Sequence, residues 1–342
     1  MDDERRGRRD SRMLARMSAR DVEDEPTECT EPTEPLDTGR PFSRAAALRA
    51  GLGKQLRTRA FRQLLHGVYV HAGVPDSPLL AARAALVPFG PKAWASHTTA
   101  ARVLGVPIPA IPGEHVTVLE RRERRSRSDV SCHQTSDALI VRVSGTRVSA
   151  PQQLFIELAS MLTLIDLVVV GDHLVRRRLV TLADLREHCS DASGAGAGQA
   201  RAAAAFVRDR VDSPMETRLR LLFALAGLPE PEVNPDMTVG GNRRRYDLVW
   251  RHARLIVEYD GRHHVEREEQ WESDIERREE ADDDAWTLRV VTARGIYRSP
   301  DQTLAKVHRL LLDRRQPGVP QRLADAWRQH FPVRGDYLNP TG

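Results

Sequence analysis

The sequence predicts an α/β fold class that is divided over several domains. The chain has 342 residues, enough for two or three domains with separate cores. Apolar residues follow a helical period in some segments and a strand period in others, which argues against an all-helical or all-strand protein. The clearest order is found from 212 to 314, where helix, hairpin, helix, strand and helix follow one another as in an α/β sandwich.

The composition indicates a protein of a reducing compartment. Its three cysteines, Cys29, Cys132 and Cys189, are far apart and form no CxxC pair, so neither a disulfide framework nor a thiolate zinc site is expected. The most apolar run, LTLIDLVVV, is short and contains Asp166, so it does not predict a membrane span. We therefore expect a cytoplasmic protein with no membrane partner.

The first 39 residues differ from the rest in charge and in hydropathy. They hold seven arginines and twelve acidic residues, a net charge of −5, which leaves +9 for residues 40–342 of the total of +4. Because this segment has almost nothing apolar to bury, it predicts a disordered tail over 1–39. The basic remainder is compatible with a polyanion such as DNA.

The segment 40–75 predicts a winged helix-turn-helix. Ser43 is a suitable N-cap, Gly51 ends the first helix, a second helix begins near Lys54, and QLLHGVYVH forms a hairpin that turns at Gly67. DNA contacts would come from the second helix and the wing, through Lys54, Arg57, Arg59 and Arg62. The alternative is a small helical domain whose arginines are merely solvated.

Residues 76–190 predict a mixed α/β region, in which SPLLAARAALVPF and SHTTAARVLG are helical and EHVTVLE and ALIVRVSG alternate as strands do. His97 would lie in the first turn of a helix capped by Ser96, where a local structural role is expected. Residues 191–211 predict a glycine-rich linker followed by a helix, and 315–342 a C-terminal extension.

The stretch YDLVWRHARLIVEYDGRHH predicts a hairpin with His252 and Ala253 in its loop. Asp247 then faces Glu258, and Arg245 faces Asp260. The alternation places two sets of side chains on opposite faces, an apolar set of Tyr246, Leu248, Trp250, Leu255, Val257 and Tyr259 and an acidic set of Asp247, Glu258 and Asp260. Opposed carboxylates destabilise a sheet, so a positive charge should lie between them.

Two sources of positive charge are open. Arg245 could bridge Asp260, which would make an ordinary exposed ion-pair cluster worth at most about 1 kcal/mol per pair. The other source is Mg²⁺ or Mn²⁺, since Mg²⁺ prefers carboxylate, carbonyl and water ligands and can promote phosphodiester hydrolysis. Upstream, SPMETRLRLLFALAG predicts a helix capped by Ser213, whose Glu216 completes a capping box and could also reach the edge of this site.

The segments SPMETRLRLLFALAGLPEPEVN, YDLVW, LIVEYDGRHH, QWESDIERR and WTLRVVTA resemble the DUF559 domain, a relative of very-short-patch-repair endonucleases in the PD-(D/E)XK superfamily. The resemblance covers 212–314 and implies a restriction-endonuclease-like sandwich. It also implies that Asp247 and Glu258 hold the metal together with the carbonyl of Tyr259. Asp260 stands in place of a lysine that orients water in many members, so His264 is the expected base, with His263 as its substitute.

The same resemblance implies roles for further residues. Asp274 and Arg277 match a WxxDxxR element, in which the carboxylate could orient the histidine and the arginine could contact the scissile phosphate or anchor the sheet. Apart from the resemblance, the arginines that could meet backbone phosphates in an endonuclease are Arg243, Arg244 and Arg262. The segments RPFSRAAALRAGLGKQLRTRAFRQLLHGVYVHAG and SHTTAARVLGVPIP resemble, over 41–190, the winged-helix and middle region of AbiEi-type antitoxins and regulators.

These observations predict a metal-dependent DNA endonuclease. The resemblance to the PD-(D/E)XK superfamily implies that its products carry a 5′-phosphate and a 3′-hydroxyl. Cutting both strands of a duplex commonly needs two sites, so a homodimer is one expected arrangement. The alternative function is an AbiEi-like DNA-binding regulator or antitoxin with a catalytically silent nuclease fold. A small-molecule enzyme has neither a nucleophile constellation nor a cofactor loop in its favour.

Overall fold

The computed structural model describes residues 35–137, 139–261 and 284–332 and confirms the α/β class. The predicted tail over 1–39 lies almost wholly outside the described residues. The chain forms two units, one of Met1–Ala95 with Val116–Arg147 and the other of Ser96–His115 with Val148–Gly342.

The first unit opens with a three-stranded sheet. Its elements are β1 (Phe42–Ser43), α1 (Arg44–Arg49), a 3₁₀ turn (Gln55–Arg57), β2 (Phe61–Leu65) and β3 (Val68–His71), with strand order β1-β3-β2. Ser43 caps α1 as predicted, accepting a hydrogen bond from the backbone N–H of Ala46 at 3.1 Å. Gly67 turns the hairpin with φ of 73°. The predicted second helix is wrong, because only the 3₁₀ turn forms there.

The rest of the first unit is built on a five-stranded sheet. It contains α2 (Pro78–Leu86), β4 (Trp94–Ala95), β5 (Glu114–Val118), a 3₁₀ turn (Arg121–Glu123), β6 (Val130–Gln134), β7 (Ile140–Val143) and β8 (Thr146–Ser149), in the order β6-β5-β4-β8-β7. Strand β5 begins in the second unit, and β8 ends in it, because the boundaries between the units fall within these two strands. The core is formed by Ala85, Phe89, Ala93, Val116, Val118 and Val130.

Five helices begin the second unit. They are α3 (His97–Val103), α4 (Pro151–Ala159), α5 (Leu164–Arg176), α6 (Leu182–Asp191) and α7 (Ala197–Phe206). The threonines Thr163 and Thr181 cap α5 and α6 through their hydroxyls. The stretch predicted to be an interdomain linker lies inside this unit, where Gly196 starts α7 with φ of 81°. A Cβ at Gly171 of α5 would approach Val207 to 2.4 Å, so the two helices pack closely.

The second unit ends in a four-stranded sheet with helices. Its elements are α8 (Pro214–Leu225), β9 (Glu232–Val233), β10 (Asp236–Val239), β11 (Asn242–Arg245), β12 (Leu248–Trp250), β13 (Leu255–Asp260), β14 (Thr287–Thr292), α9 (Ala293–Tyr297), α10 (Pro300–Asp313) and a 3₁₀ turn (Ala326–Gln329). The sheet order is β14-β13-β12-β9, with β13 and β14 parallel, and β10 and β11 form a separate hairpin.

No helix among the described residues has the length and apolar character that crossing a membrane requires.

Candidate functional site

The hairpin predicted at the acidic residues is confirmed. Strands β12 and β13 are antiparallel and pair Leu248 with Val257, Val249 with Ile256, and Trp250 with Leu255. The backbone N–H of Arg254 donates to the carbonyl of Arg251 at 3.0 Å, which closes a turn around the two predicted loop residues. Continued by one step, this register brings Glu258 opposite Asp247.

Asp247 lies at a bend just before β12. Its carboxylate accepts a hydrogen bond from the backbone N–H of Tyr259 at 2.8 Å. Its own carbonyl accepts from the backbone N–H of Asn234 at 2.8 Å. The Asp247 carboxylate therefore takes the place of a backbone acceptor for β13 where the main chain bends away. This bond holds the side chain beside the peptide that joins Glu258 to Tyr259.

The predicted position of Tyr246 on the face of Leu248 and Trp250 is wrong. Tyr246 is fully buried in a cluster with Met237, Val239, Val249 and Ile256, on the opposite face. Strand alternation does not continue through the bend at Asp247, which is why the prediction failed. Trp250 instead packs edge-on against Phe223 of α8, with ring centroids 5.5 Å apart. Both faces of the hairpin are thus covered near the turn, and the acidic residues lie at its other end.

Glu216 joins the start of α8 to this region. Ser213 caps the helix as predicted, accepting from the backbone N–H of Glu216 at 3.1 Å. In a capping box the Glu216 carboxylate would accept from the backbone N–H of Ser213. It accepts instead from the backbone N–H of Asp212 at 3.0 Å. It also accepts from the side-chain amide of Asn234 at 2.7 Å. Asn234, buried and with φ of 47°, thus connects Glu216 to the backbone of Asp247.

The predicted bridge from Arg245 to Asp260 is wrong. Arg245 forms an ion pair with Asp212 at 2.9 Å and donates to the carbonyl of Arg210 at 3.3 Å. Strand β11 ends at Arg245, and the chain bends at Asp247 before β12 begins. Because the two strands are not continuous, the predicted pairing of Arg245 with Asp260 does not form. Arg245 therefore does not act as the bridging cation of Asp260.

The two neighbouring arginines of β11 point in different directions. Arg244 pairs with Met237 and Arg243 with Thr238 across the β10–β11 hairpin. Cross-strand partners share a face, so Arg244 lies on the face of the buried Met237 and is itself half-buried. Arg243 is on the exposed face with Thr238.

Tyr259 and Asp260 end β13 beside the parallel strand β14. Tyr259 pairs in register with Val291, and Asp260 pairs with Thr292. Burial raises the pKa of the Tyr259 phenol, and the nearby Tyr297 and Asp260 raise it further. The remaining residues predicted for this site, Arg262, His263, His264, Asp274 and Arg277, lie outside the described residues.

The predicted DNA-contacting residues of the first unit do not share a helix. Lys54 and Arg57 lie at the 3₁₀ turn and Arg59 follows it, all three exposed. Arg62 is in β2, where its guanidinium donates to the carbonyl of Val74 at 2.8 Å and pairs with Asp76 at 2.7 Å. Arg62 is thus engaged within the fold, and the other three are available at the surface.

A buried ion pair in the second unit was not predicted from the sequence. Asp172 of α5 contacts Arg220 of α8 at 2.9 Å, and the two side chains are 3% and 1% exposed. The Asp172 carboxylate also accepts from the hydroxyl of Thr217 and from the backbone N–H of Arg208. Burial raises the pKa of Asp172, and the charge of Arg220 works against that rise. The pair fixes α8 to α5.

Glu157 forms a second buried polar group that the sequence analysis missed. Its carboxylate accepts from the backbone N–H of His97 and the hydroxyl of Ser149, both at 2.9 Å. Burial raises the pKa of Glu157 to about 7, although these hydrogen bonds oppose the rise. The only signal in the sequence is a lone acid within the apolar run LFIELA. A carboxyl of this kind exchanges its proton near neutral pH.

His97 beside Glu157 has an unusual backbone for a helix start, with φ of 48°. Ser96 occupies the N-cap position as predicted but makes no capping bond; its hydroxyl lies 3.0 Å from Nδ1 of His97. The same Nδ1 is 3.8 Å from the Glu157 carboxylate. Because the hydroxyl and the carboxylate both approach Nδ1, these residues do not have the geometry of a Ser-His-acid triad.

No family model matches the chain. Two uncharacterized proteins of Mycobacterium tuberculosis, MT2308 of strain CDC 1551 and Rv2248 of strain H37Rv, are each 28% identical to it over 273 residues, which cover 79% of this chain and 99% of theirs. The crystal structure of the RV2827C protein from the same species is similar with a TM-score of 0.35 and 16% identity, covering 53% of this chain and 75% of that one. A likeness of that size carries no argument about function.

Proposed function

We propose that residues 212–314 form a metal-dependent endonuclease that hydrolyses phosphodiester bonds in DNA. The observation that carries the proposal is the bond from the Tyr259 backbone N–H to the Asp247 carboxylate. This bond holds the carboxylate of Asp247, just before β12, beside the peptide of Glu258 in the neighbouring strand β13. The nearest arginine in the sequence, Arg245, is engaged with Asp212.

The donor set fits a hard divalent cation. Asp247 and Glu258 offer carboxylate oxygens, and the carbonyl of Tyr259 is a further oxygen donor on the same strand. Mg²⁺ and Mn²⁺ favour such oxygen ligands and accept water as well. When bound, the ion polarises a phosphoryl oxygen and lowers the pKa of a coordinated water.

The protein's own groups have separate tasks in this proposal. Asp247 is fixed by the Tyr259 amide, so it is held in place before substrate arrives, which lowers the cost of organising the site. Asp260 follows two residues after Glu258 on the same face of β13 and would orient water. His264 keeps the role of base that the sequence predicts, and Arg243 contacts the backbone phosphates.

Nicking of supercoiled plasmid tests the proposal. The wild-type protein is incubated with Mg²⁺ or Mn²⁺, beside Glu258→Gln and an EDTA control. Glutamine keeps the size and an oxygen acceptor and removes the charge, so the fold is retained. We expect nicking by the wild type alone. Equal nicking by Glu258→Gln, or nicking in EDTA, would contradict the metal site at this hairpin.

DNA-binding regulation is the second candidate, favoured by the surface of the first unit. Lys54, Arg57 and Arg59 are exposed, and their side chains make no bond to any residue that the structure describes. Such side chains are suited to phosphate contacts. If this function holds and the nuclease does not, wild type and Glu258→Gln shift DNA equally in a gel without metal, neither nicks it, and Lys54→Gln with Arg57→Gln abolishes the shift.

A further inference from the structure

Two arginines on α9 are directed away from the fold. Arg294 and Arg298 are both exposed and lie one helical turn apart. Within the described ranges, neither guanidinium makes a hydrogen bond or an ion pair. Like charges at this spacing, with Cβ atoms about 5–6 Å apart, repel each other on a helix. The residues that the structure describes therefore offer no compensation for this pair, whereas an external anion would.

The helix that carries them is firmly held on its other side. Ile296 is completely buried. The hydroxyl of Tyr297 accepts a hydrogen bond from Nε of Arg218 at 2.8 Å and lies 3.6 Å from the sulfur of Met215, both on α8. A Cβ at Gly295 would come within 2.9 Å of Val291, so no larger residue fits there. The outward direction of the two arginines is thus fixed by packing.

Strand register places α9 next to the proposed metal site. Strand β14 runs parallel to β13 and pairs Val290 with Glu258 and Thr292 with Asp260. Helix α9 begins at Ala293, directly after the partner of Asp260. Arg294 and Arg298 therefore come just after the end of β14 that lies beside Glu258 and Asp260. In open sheets with parallel strands, ligands commonly bind beyond this end.

We propose that Arg294 and Arg298 form a contact surface for the sugar–phosphate backbone of duplex DNA beside the Asp247–Glu258 site. The inference rests on the proposed function, since it names how the substrate of that same site is held. Arginine remains charged at all relevant pH values and binds phosphate oxygens through paired N–H groups. An acidic protein could also pair with the two arginines, but binding such a partner would give no role to the adjacent carboxylates.

The experiment measures binding apart from cleavage. Fluorescence anisotropy of a labelled DNA duplex is recorded with the full chain in EDTA, over a series of salt concentrations. The double variant Arg294→Gln with Arg298→Gln is expected to weaken binding roughly tenfold and to lower the slope of log K against log salt by about two, one for each phosphate contact. An unchanged affinity and slope would overturn the inference.

Arg322→Gln is the matched control. Arg322 is also exposed, and its side chain has no partner in the described structure. It lies at the other end of α8, because the backbone N–H of Ala324 bonds the carbonyl of Ala226 there, whereas Met215 near Tyr297 starts the helix. Its replacement should leave both affinity and slope unchanged. An equal loss in this variant would mean that only the net charge matters, which overturns a localised surface.

Two further arms separate a specific contact from other causes. Replacing both arginines by lysine keeps the charges and should restore most of the salt slope; no restoration would indicate structural damage and overturn the inference. Polyglutamate should compete less well than DNA; stronger competition through the same two arginines would indicate an acidic protein partner instead.

The inference and the proposed function can fail separately. If the wild type nicks plasmid but the double glutamine variant binds DNA normally, the surface is wrong and the nuclease stands. If the wild type binds DNA through these arginines but never nicks it with Mg²⁺ or Mn²⁺, the surface stands and the nuclease is wrong.

Discussion

Asp172 and Asp247 are two aspartates of the same unit with different surroundings. Asp172 is buried with Arg220, which is itself 1% exposed, and further bonds reach it from a hydroxyl and a backbone N–H. Asp247 is half-buried, and its carboxylate accepts a hydrogen bond from the Tyr259 amide beside Glu258. Arg245, close to it in sequence, pairs with Asp212 instead.

The difference separates a structural carboxylate, Asp172, from Asp247, which we propose takes part in the chemistry. The charge of Asp172 is balanced inside the fold by Arg220, so its contribution is to hold α5 on α8. The acidic residues Asp247 and Glu258 lie away from the hairpin turn and are only half-buried. Glu157 is intermediate, because it is buried but has no arginine among its described contacts. Variants at these three places test the distinction.

The largest effect is expected from Arg220→Met. The change leaves Asp172 buried without its cation, which should lower the free energy of unfolding by about 3–5 kcal/mol. Urea denaturation at neutral pH measures it. In the double variant Asp172→Leu with Arg220→Met, both charges are removed and most of that loss should be recovered. A loss below about 1 kcal/mol in the single variant would show that the pair is not structural.

Glu157 should make stability depend on pH. Its pKa is raised in the folded protein to about 7 from 4.5, so the folded state holds the proton more tightly than the unfolded chain. The resulting stabilisation is complete below about pH 4.5 and is lost as the pH rises to about 7, by about 3 kcal/mol. Unfolding at pH 5 and pH 8 measures it, and Glu157→Gln should remove most of the difference. An equal difference in the variant would assign it to other groups.

Asp247 should affect activity far more than stability. Asp247→Asn retains an oxygen that can accept from the Tyr259 amide, so unfolding should change little, while plasmid nicking falls by at least about two orders of magnitude because the charge is lost. Asp247→Ala should lose the same activity and about 1 kcal/mol of stability as well, since the amide loses its acceptor. If nicking by Asp247→Asn stays within a few-fold of wild type, Asp247 is structural like Asp172.

The smallest effect is expected from Arg245→Gln. Its pair with Asp212 is exposed on both sides, 43% and 41%, and such pairs contribute less than about 1 kcal/mol. Nicking should remain close to that of wild type. A strong loss of activity would mean that Arg245 contributes to the site of Asp247 and Glu258. Asp247 would then depend on a nearby arginine, as Asp172 depends on Arg220.

Local patterns predicted the parts of the fold in which neighbours along the chain decide the structure. The hairpin with His252 and Ala253 in its turn, the cap at Ser213 and a strand over TLRVVT are all present. Alternation of period two and capping residues suffice for such elements. Continuing the hairpin register by one residue places Asp247 opposite Glu258, so this part of the candidate site could be proposed from the sequence.

Failures occurred where the chain bends or where distant segments meet. The bend at Asp247 moved Tyr246 to the other face and directed Arg245 to Asp212. The predicted second helix became a single 3₁₀ turn, because KQLRTRA has no apolar stripe long enough to stabilise it by packing. The contact of Asp172 with Arg220 joins residues 48 positions apart, and no spacing rule connects them.

Calorimetric titration of Mn²⁺ into the wild-type protein and into Asp247→Asn tests the central claim most directly, because it needs no DNA and no knowledge of the substrate. We expect saturable binding by the wild type and binding at least about tenfold weaker in the variant, with both proteins equally folded. Equal Mn²⁺ binding by the two proteins, or none by either, would contradict a metal site formed by Asp247 and Glu258.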